Sequence, residues 1–339
     1  FALNGATCLI HDQVDSEPDM TMVEAARRAM AAFQPDVIVS LGGGSVSDVA
    51  KVAWFLYERP HISLDEINPF TDFRVATSRL IAIPTTSGSG ADVTMGAVIT
   101  DGPVGRKITL YARDLQPNLT VVDPALVVTL PSQVTADSGL DILSHAVEAY
   151  TCVYHNDYSD ALALRALQLV FTYLPRAYRD GEDREARERL HNAATIAGLA
   201  ITNAAVGLAH AMAHVFGGHF SYPHGRIVAL FLPYTIEYAA NDGGTRYSEL
   251  ALALGGRAES EGAAAASLIR KTRALYRQVN QPQNLAELGL TRRQFDHSLD
   301  QLVAATYDDP QLLTTVRAPD REHLRRLYQA AYEGAAIDF

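Results

Sequence analysis

Apolar residues in the first third of the chain come in short runs closed by glycines. Along the rest they recur every three or four positions. Residues 36–41 (Asp-Val-Ile-Val-Ser-Leu) are β-branched and run into three glycines, which predicts a buried strand of a parallel sheet. Residues 80–84 predict a second strand, and 97–100 and 119–123 two more. Residues 20–33, rich in Ala, Met and Arg at helical spacing, predict a helix ahead of the first strand. Strand, glycine turn, helix, strand is the pattern of an α/β domain. Beyond Pro131 the period changes, and helices are expected over 161–178, 186–216, 259–279 and 291–307. The change places a boundary near 128–135, giving an α/β domain over 1–131 and an all-helical domain over 132–339. The charged run at 180–189 reads as a solvated turn and helix start.

Composition narrows the class. A chain of 339 residues exceeds what one hydrophobic core usually supports, in line with two domains. A net charge of -11 disfavours binding to a nucleic-acid backbone. No run of 18 apolar residues predicts a membrane helix, and the first residues show no signal-peptide pattern. Two cysteines, Cys8 and Cys152, are too few for a disulfide framework and fit a reducing cytoplasm.

Two loops carry candidate anion chemistry. Residues 42–51 (Gly-Gly-Gly-Ser-Val-Ser-Asp-Val-Ala-Lys) follow a predicted strand and open a predicted helix. Backbone N–H groups at such a turn, with the helix dipole behind them, suit a phosphate or pyrophosphate. Ser45 can cap that helix and donate to phosphate. The spacing is neither G-x-G-x-x-G nor a Walker A, so a plain tight turn is the competing reading. Residues 84–94 (Pro-Thr-Thr-Ser-Gly-Ser-Gly-Ala-Asp-Val-Thr) follow a second strand at the same end of the sheet, where ligands bind in open α/β folds. Two such loops favour a dinucleotide.

The helical half carries the sharper signal. Asp141 and His145 stand four apart, as do His210 and His214, so each pair shares one face of its helix. His224 sits on a Pro-His-Gly turn, with His219 between. Four of the eleven histidines fall within 210–224, in a stretch otherwise apolar and small, where imidazoles are costly unless paired or ligated. Singly, each reads as a hydrogen-bonded core histidine. As a set with Asp141 and His145, they predict a site for Fe²⁺, Zn²⁺ or a similar ion.

Together these motifs resemble the iron-containing (group III) alcohol dehydrogenases, most of all the alcohol dehydrogenase domain of bifunctional aldehyde–alcohol dehydrogenases. The likeness covers essentially the whole chain, including residues 51–58, 189–198, 307–310 and 331–334. It implies an N-terminal Rossmann-like dinucleotide-binding α/β domain, whose first strand, turn and helix precede Phe1, and a C-terminal all-helical metal-binding and catalytic domain. Asp141, His145, His210 and His224 match the metal ligands, for Fe²⁺ or alternatively Zn²⁺. His214 matches a histidine beside the metal, implied to relay a proton in catalysis. Gly43, Gly44, Ser45 and Asp48 match the pyrophosphate loop, Thr85, Thr86 and Ser89 a second cofactor loop, and Lys107 a cofactor-contacting lysine. The implied reaction is hydride exchange between NAD(H), with NADP(H) equally open, and a small primary alcohol or aldehyde. The implied assembly is a cytoplasmic homodimer or larger homo-oligomer, with no nucleic-acid or membrane partner.

Two positions depart from the family pattern. Asp92 stands where relatives often carry Glu, with little consequence expected. Gly96 stands where relatives carry a larger side chain facing the substrate. A wider pocket is therefore expected, unless Met95 repacks into it. His219 is a candidate for holding a polar or anionic substrate tail. Competing functions are an NAD- and metal-dependent lyase of the dehydroquinate-synthase type and a dehydrogenase domain serving assembly in a bifunctional enzyme. The Asp141/His145 pair and the Pro-His-Gly turn disfavour the lyase. A metal-dependent hydrolase would leave both glycine loops without a use.

Overall fold

The structure, a computed structural model, describes residues 5–74, 77–101, 106–243, 246–256 and 259–339; Phe1 lies outside them. The chain divides into two compact units. One comprises Phe1–Thr85 and Ala91–Asp123, the other Thr86–Gly90 and Pro124–Phe339.

The first unit opens with helix α1 (Met20–Phe33), started by Asp19, whose carboxylate accepts the Met22 N–H. Next come strand β1 (Val37–Gly42), helix α2 (Gly44–Glu58) and strands β2 (Arg79–Pro84), β3 (Gly96–Asp101), β4 (Arg106–Tyr111) and β5 (Leu119–Thr120). β1, β2 and β5 form a parallel sheet in that order, with Val37 opposite Arg79 and Gly42 opposite Pro84. β3 pairs antiparallel with β4 instead of joining that sheet. β4 was not among the expected strands: Arg-Lys-Ile-Thr-Leu-Tyr holds no apolar run, and its polar–apolar alternation, itself a strand signal, covers only Lys107–Leu110. The strand expected at 119–123 is only two residues long.

Burial of β1 also departs from expectation. Its residues alternate, and Val37, Val39 and Leu41 lie on an exposed face. The opposite face packs Ile38 and Leu80 against Trp54 of α2. The remaining apolar face of α2, through Val49, Val52 and Phe55, packs with Ile99 and Leu110 of the β3–β4 pair.

The second unit is helical: α3 (Ser132–Thr151), α4 (Asp157–Arg179), α5 (Arg184–Asn203), α6 (Leu208–Phe220), α7 (His224–Asn241), α8 (Tyr247–Ala253), α9 (Glu261–Gln278), α10 (Arg292–Tyr307) and α11 (Arg321–Glu333). The charged run does start a helix, with Asp183 accepting from the Ala186 N–H. The segment 186–216, expected as one helical stretch, is two helices bent by 108°. The break falls at Ala204–Gly207, where Ala204 leaves helical geometry and Gly207 is the N-cap of α6. α3 is the central helix, buried along most of its length, and touches α4, α5 and α7. Gly139 lets α4 come close: a Cβ there would lie 2.4 Å from Leu174 Cδ1. Among the described residues no single helix is long and apolar enough to cross a membrane.

Candidate metal centre and cofactor loops

Three helices of the second unit bring the predicted ligands together. Asp141 and His145 lie one turn apart on α3, His210 is on α6, and His224 is the first residue of α7. His224 therefore starts a helix and does not sit on a free turn. Three imidazole nitrogens surround one carboxylate oxygen: the Nε2 atoms of His224, His145 and His210 lie 3.7, 3.8 and 3.9 Å from Asp141 Oδ1. The rings of His145 and His210 stack at 4.8 Å. Asp141, His145 and His210 are buried, while the His224 side chain is 35% exposed.

These groups fit a divalent ion. Asp141 Oδ1 and His210 Nε2 are buried with no hydrogen-bond partner among the described residues, which is costly in a dry interior. Burial pushes the Asp141 carboxyl up, against the pull of the neighbouring imidazoles. Burial, then the nearby imidazoles of His145 and His214, hold His210 well below the ordinary histidine range, so it is neutral and keeps a lone pair for a ligand. Donors about 2.1 Å from a common tetrahedral ion stand about 3.4 Å apart. One donor atom each from Asp141, His210 and His224 lie within 4.8 Å of one another, whereas His145 is not part of that group and meets it through Asp141 Oδ1 at 3.8 Å. One carboxylate oxygen with imidazole nitrogens suits Fe²⁺ or Zn²⁺.

Sequence reasoning passed over Glu148 as a site residue. It lies on α3 seven residues after Asp141, on the same face. Its Oε1 accepts the Ala209 N–H at 2.7 Å, and its Oε2 meets His210 Nδ1. The spacing Asp-x-x-x-His-x-x-Glu on one helix was the available signal. A small cavity of about 30 Å³, room for one water, lies against it, lined also by Thr151, Thr235 and Tyr247.

His214 joins the cluster from α6, its ring stacked at 5.4 Å on His224 and its Nδ1 3.5 Å from Asp309 Oδ2. His219 does not join it. Five residues past His214 it has rotated off that helix face, and its Nε2 bonds Ser298 Oγ of α10 at 2.8 Å.

In the first unit, Gly43 is the residue that caps α2, and among the described residues no side-chain hydrogen bond caps that end. Ser45, expected as the cap, lies inside the helix and donates to the Ser16 carbonyl at 2.9 Å. Asp48 Oδ2 accepts the Val98 N–H at 3.1 Å, tying α2 to β3. Lys107 stands opposite Thr100 in the β3–β4 pair, its amine held below the ordinary range by burial. The Thr85 N–H donates to Gly42, joining the ends of β1 and β2. The space expected at Gly96 is filled by the Tyr111 ring: a Cβ on Gly96 would lie 2.9 Å from Tyr111 Cε1.

Thr86 and Ser89 fall in the segment that belongs with the helical unit. There Ser87 Oγ bonds His191 Nδ1 at 3.0 Å. Gly90, at φ +64°, sits where a Cβ would come within 2.5 Å of Gly198 Cα.

Comparison with known proteins identifies the family. The family model for iron-containing alcohol dehydrogenase matches residues 1–124, and the C-terminal model of the Fe-containing alcohol dehydrogenase family matches 135–332. The chain belongs to the iron-containing alcohol dehydrogenase family. It is 36% identical over 353 residues to an aldehyde-alcohol dehydrogenase of Streptococcus pneumoniae, covering 96% of this chain and 39% of that protein. It therefore spans about two fifths of the length of such relatives. It is 34% identical to an NADPH-dependent butanol dehydrogenase of Clostridium saccharobutylicum, covering 96% of this chain and 84% of that one. An iron-containing alcohol dehydrogenase structure from Thermococcus thioreducens superposes with a TM-score of 0.89 at 33% identity, over 98% of this chain and 87% of that one.

Proposed function

We propose that this chain exchanges a hydride between a nicotinamide dinucleotide and a small primary alcohol or aldehyde, with Asp141, His145, His210 and His224 holding a divalent metal ion. The observation that carries this is the convergence of three imidazole nitrogens on one buried carboxylate oxygen that has no hydrogen-bond partner among the described residues. Iron, or alternatively zinc, supplies Lewis acidity toward the alcohol or carbonyl oxygen when bound. Dinucleotide binding is assigned to residues 1–131 and metal binding to 132–339.

The chain's own groups do the rest. The uncapped first turn of α2, with Gly43 and Gly44, offers N–H groups to the pyrophosphate. Ser45, Asp48, Thr85, Thr86, Ser89 and Lys107 complete the assigned cofactor set. Asp48 acts by holding the loop to β3, since its carboxylate is already engaged there. His214 is assigned to pass the hydroxyl proton, with Asp309 Oδ2 3.5 Å from its Nδ1 as the nearby carboxylate. Both NAD(H) and NADP(H) fall within the proposal; the butanol dehydrogenase relative is NADPH-dependent. A homodimer or larger homo-oligomer in the cytoplasm is the proposed setting. Having too few cysteines for a disulfide framework supports that compartment.

The test is oxidation of NADH and NADPH with acetaldehyde and butyraldehyde by anaerobically prepared protein, metal-stripped and then restored with Fe²⁺ or Zn²⁺. Activity should vanish on stripping, return with one ion and be lost in His210→Ala. No hydride transfer to either aldehyde with either ion would overturn the reading.

A further inference from the structure

We propose that Arg226 and Asp137 form a latch that keeps His224 in place, so that this ion pair sets how long a metal ion stays bound. The proposal rests on the metal site proposed above.

Of the four assigned ligands, three project from buried stretches within helices. His224 differs. It is the first residue of α7, its side chain is 35% exposed, and among the described residues no side chain caps that helix end, whose N-cap is Pro223. The segment leading into it passes through Ser221 in a left-handed conformation at φ 54° and then Pro223. Beyond the contacts of His224 itself with His210, His214 and Asp141, the next two residues of α7, Gly225 and Arg226, tie this helix start to α3.

Gly225 lies against the α3 backbone so closely that a Cβ there would meet the Asp137 carbonyl oxygen at 2.2 Å and Asp141 Cβ at 2.9 Å. No other residue type allows that approach without moving one helix. Arg226 then grips Asp137 with two bonds, Nε to Oδ1 at 2.9 Å and Nη2 to Oδ2 at 3.3 Å. A two-pronged guanidinium–carboxylate pair is strong and directional. Asp137 lies one turn before Asp141, and Arg226 two residues after His224, so the pair spans the same two helices as the ligands. Gln133 also donates to Asp137 Oδ1 at 2.9 Å, and Gln281 donates to the Arg226 carbonyl at 2.7 Å, steadying both halves. With side chains only 20% and 13% exposed, the pair is shielded from salt compared with a surface pair.

An ion leaves a four-ligand site by shedding ligands in turn, and the most accessible one goes first. Here that is His224, and the latch opposes its departure.

The test loads the full chain with Zn²⁺ and mixes it with excess chromogenic chelator, reading release by absorbance. Arg226→Gln and Asp137→Asn should each release zinc about tenfold faster or more, the scale of losses of groups that orient metal ligands. Metal-free circular dichroism should be unchanged. The double variant should release no faster than the faster single one, because the two changes break one interaction. Arg226→Lys, which keeps the charge but not the fork, should fall between. It serves as the comparison should Arg226→Gln not fold. Arg292→Gln, which breaks an exposed pair with Asp296 on α10, should match the wild type. Wild-type release rates in Arg226→Gln and Asp137→Asn would overturn the latch and leave the metal site standing. Failure of the wild type to take up either Zn²⁺ or Fe²⁺ would overturn both.

Discussion

Glu148 holds His210 by Nδ1 while Nε2 of the same ring faces Asp141. Burial pushes the Glu148 carboxyl up to about 7, against the pull of the backbone N–H groups it accepts. Above that pH the carboxylate is ionised and only accepts, so Nδ1 carries the hydrogen and Nε2 the lone pair. Carboxylate contacts of this kind fix both the tautomer and the angle of a metal-binding imidazole. Glu148→Gln should therefore weaken zinc binding about 10- to 100-fold without unfolding the helical unit. Competition titration against a chelator of known affinity measures this. Unchanged affinity would reduce Glu148 to a cap on the Ala209 N–H.

Asp309 approaches His214, which is not an assigned ligand, at 3.5 Å from Nδ1 without a hydrogen bond among the described residues. Asp309→Asn should lower kcat about tenfold, within the range of a positioned proton-transfer group, with metal content unchanged. Steady-state kinetics beside metal analysis separates the two quantities. Loss of metal in this variant would instead tie Asp309 to the shape of the metal centre.

A pH effect is expected in the first unit. Burial pushes the Asp48 carboxyl up to about 6, against the pull of Lys51 and the Val98 N–H. An unfolded aspartate titrates near about 3.9. Between those values the folded state holds a proton that the unfolded state has released. Asp48 therefore contributes stability that is full below about pH 4 and lost as pH rises through 6. Asp48→Asn stays neutral and removes this dependence. The urea midpoint of the variant, relative to wild type, should rise between pH 5 and 7. Trp54, the sole tryptophan, is buried in α2 and reports this unit by fluorescence. A parallel pH course for the two proteins would contradict the assignment.

Gly90 tolerates no side chain. Its φ of +64° and the 2.5 Å approach of a Cβ to Gly198 Cα act together. Gly90→Ala should cost about 2 kcal/mol or more, from left-handed strain plus overpacking. Thermal unfolding followed by far-ultraviolet circular dichroism provides the check, and an unchanged midpoint would count against this close approach.

Spacing within single elements was legible in the chain. The i, i+4 pairs at 141/145 and 210/214 do share helix faces, and α1 covers residues 20–33 as expected. Relations between distant elements were not. Nothing local to Gly96 shows that the Tyr111 ring lies over it, since that depends on the β3–β4 register. The hydrogen bond of Ser45 to Ser16 and that of His219 to Ser298 joined segments 29 and 79 residues apart, so hydroxyl and imidazole groups that looked available were engaged. Glu148 was within reach of the helix-face argument, but its role appears only once α6 lies beside α3. The break at Ala204–Gly207 was hidden because the apolar period continues through it.

The division of the proposed ligands between helices also has a consequence for how the chain would acquire an ion. Asp141 and His145 meet as soon as α3 forms, but two donors on one helical turn make a weak trap. The other donors are held by contacts reaching 62 residues along the chain at Glu148–His210 and 89 at Asp137–Arg226. Such long loops close late and at an entropic cost. The complete donor set therefore exists only in the folded helical unit, and an ion that binds there raises its resistance to unfolding by mass action. With the proposed ligands, a cell short of iron or zinc would hold the same polypeptide in a more easily opened, more readily degraded form, so metal supply would govern its lifetime.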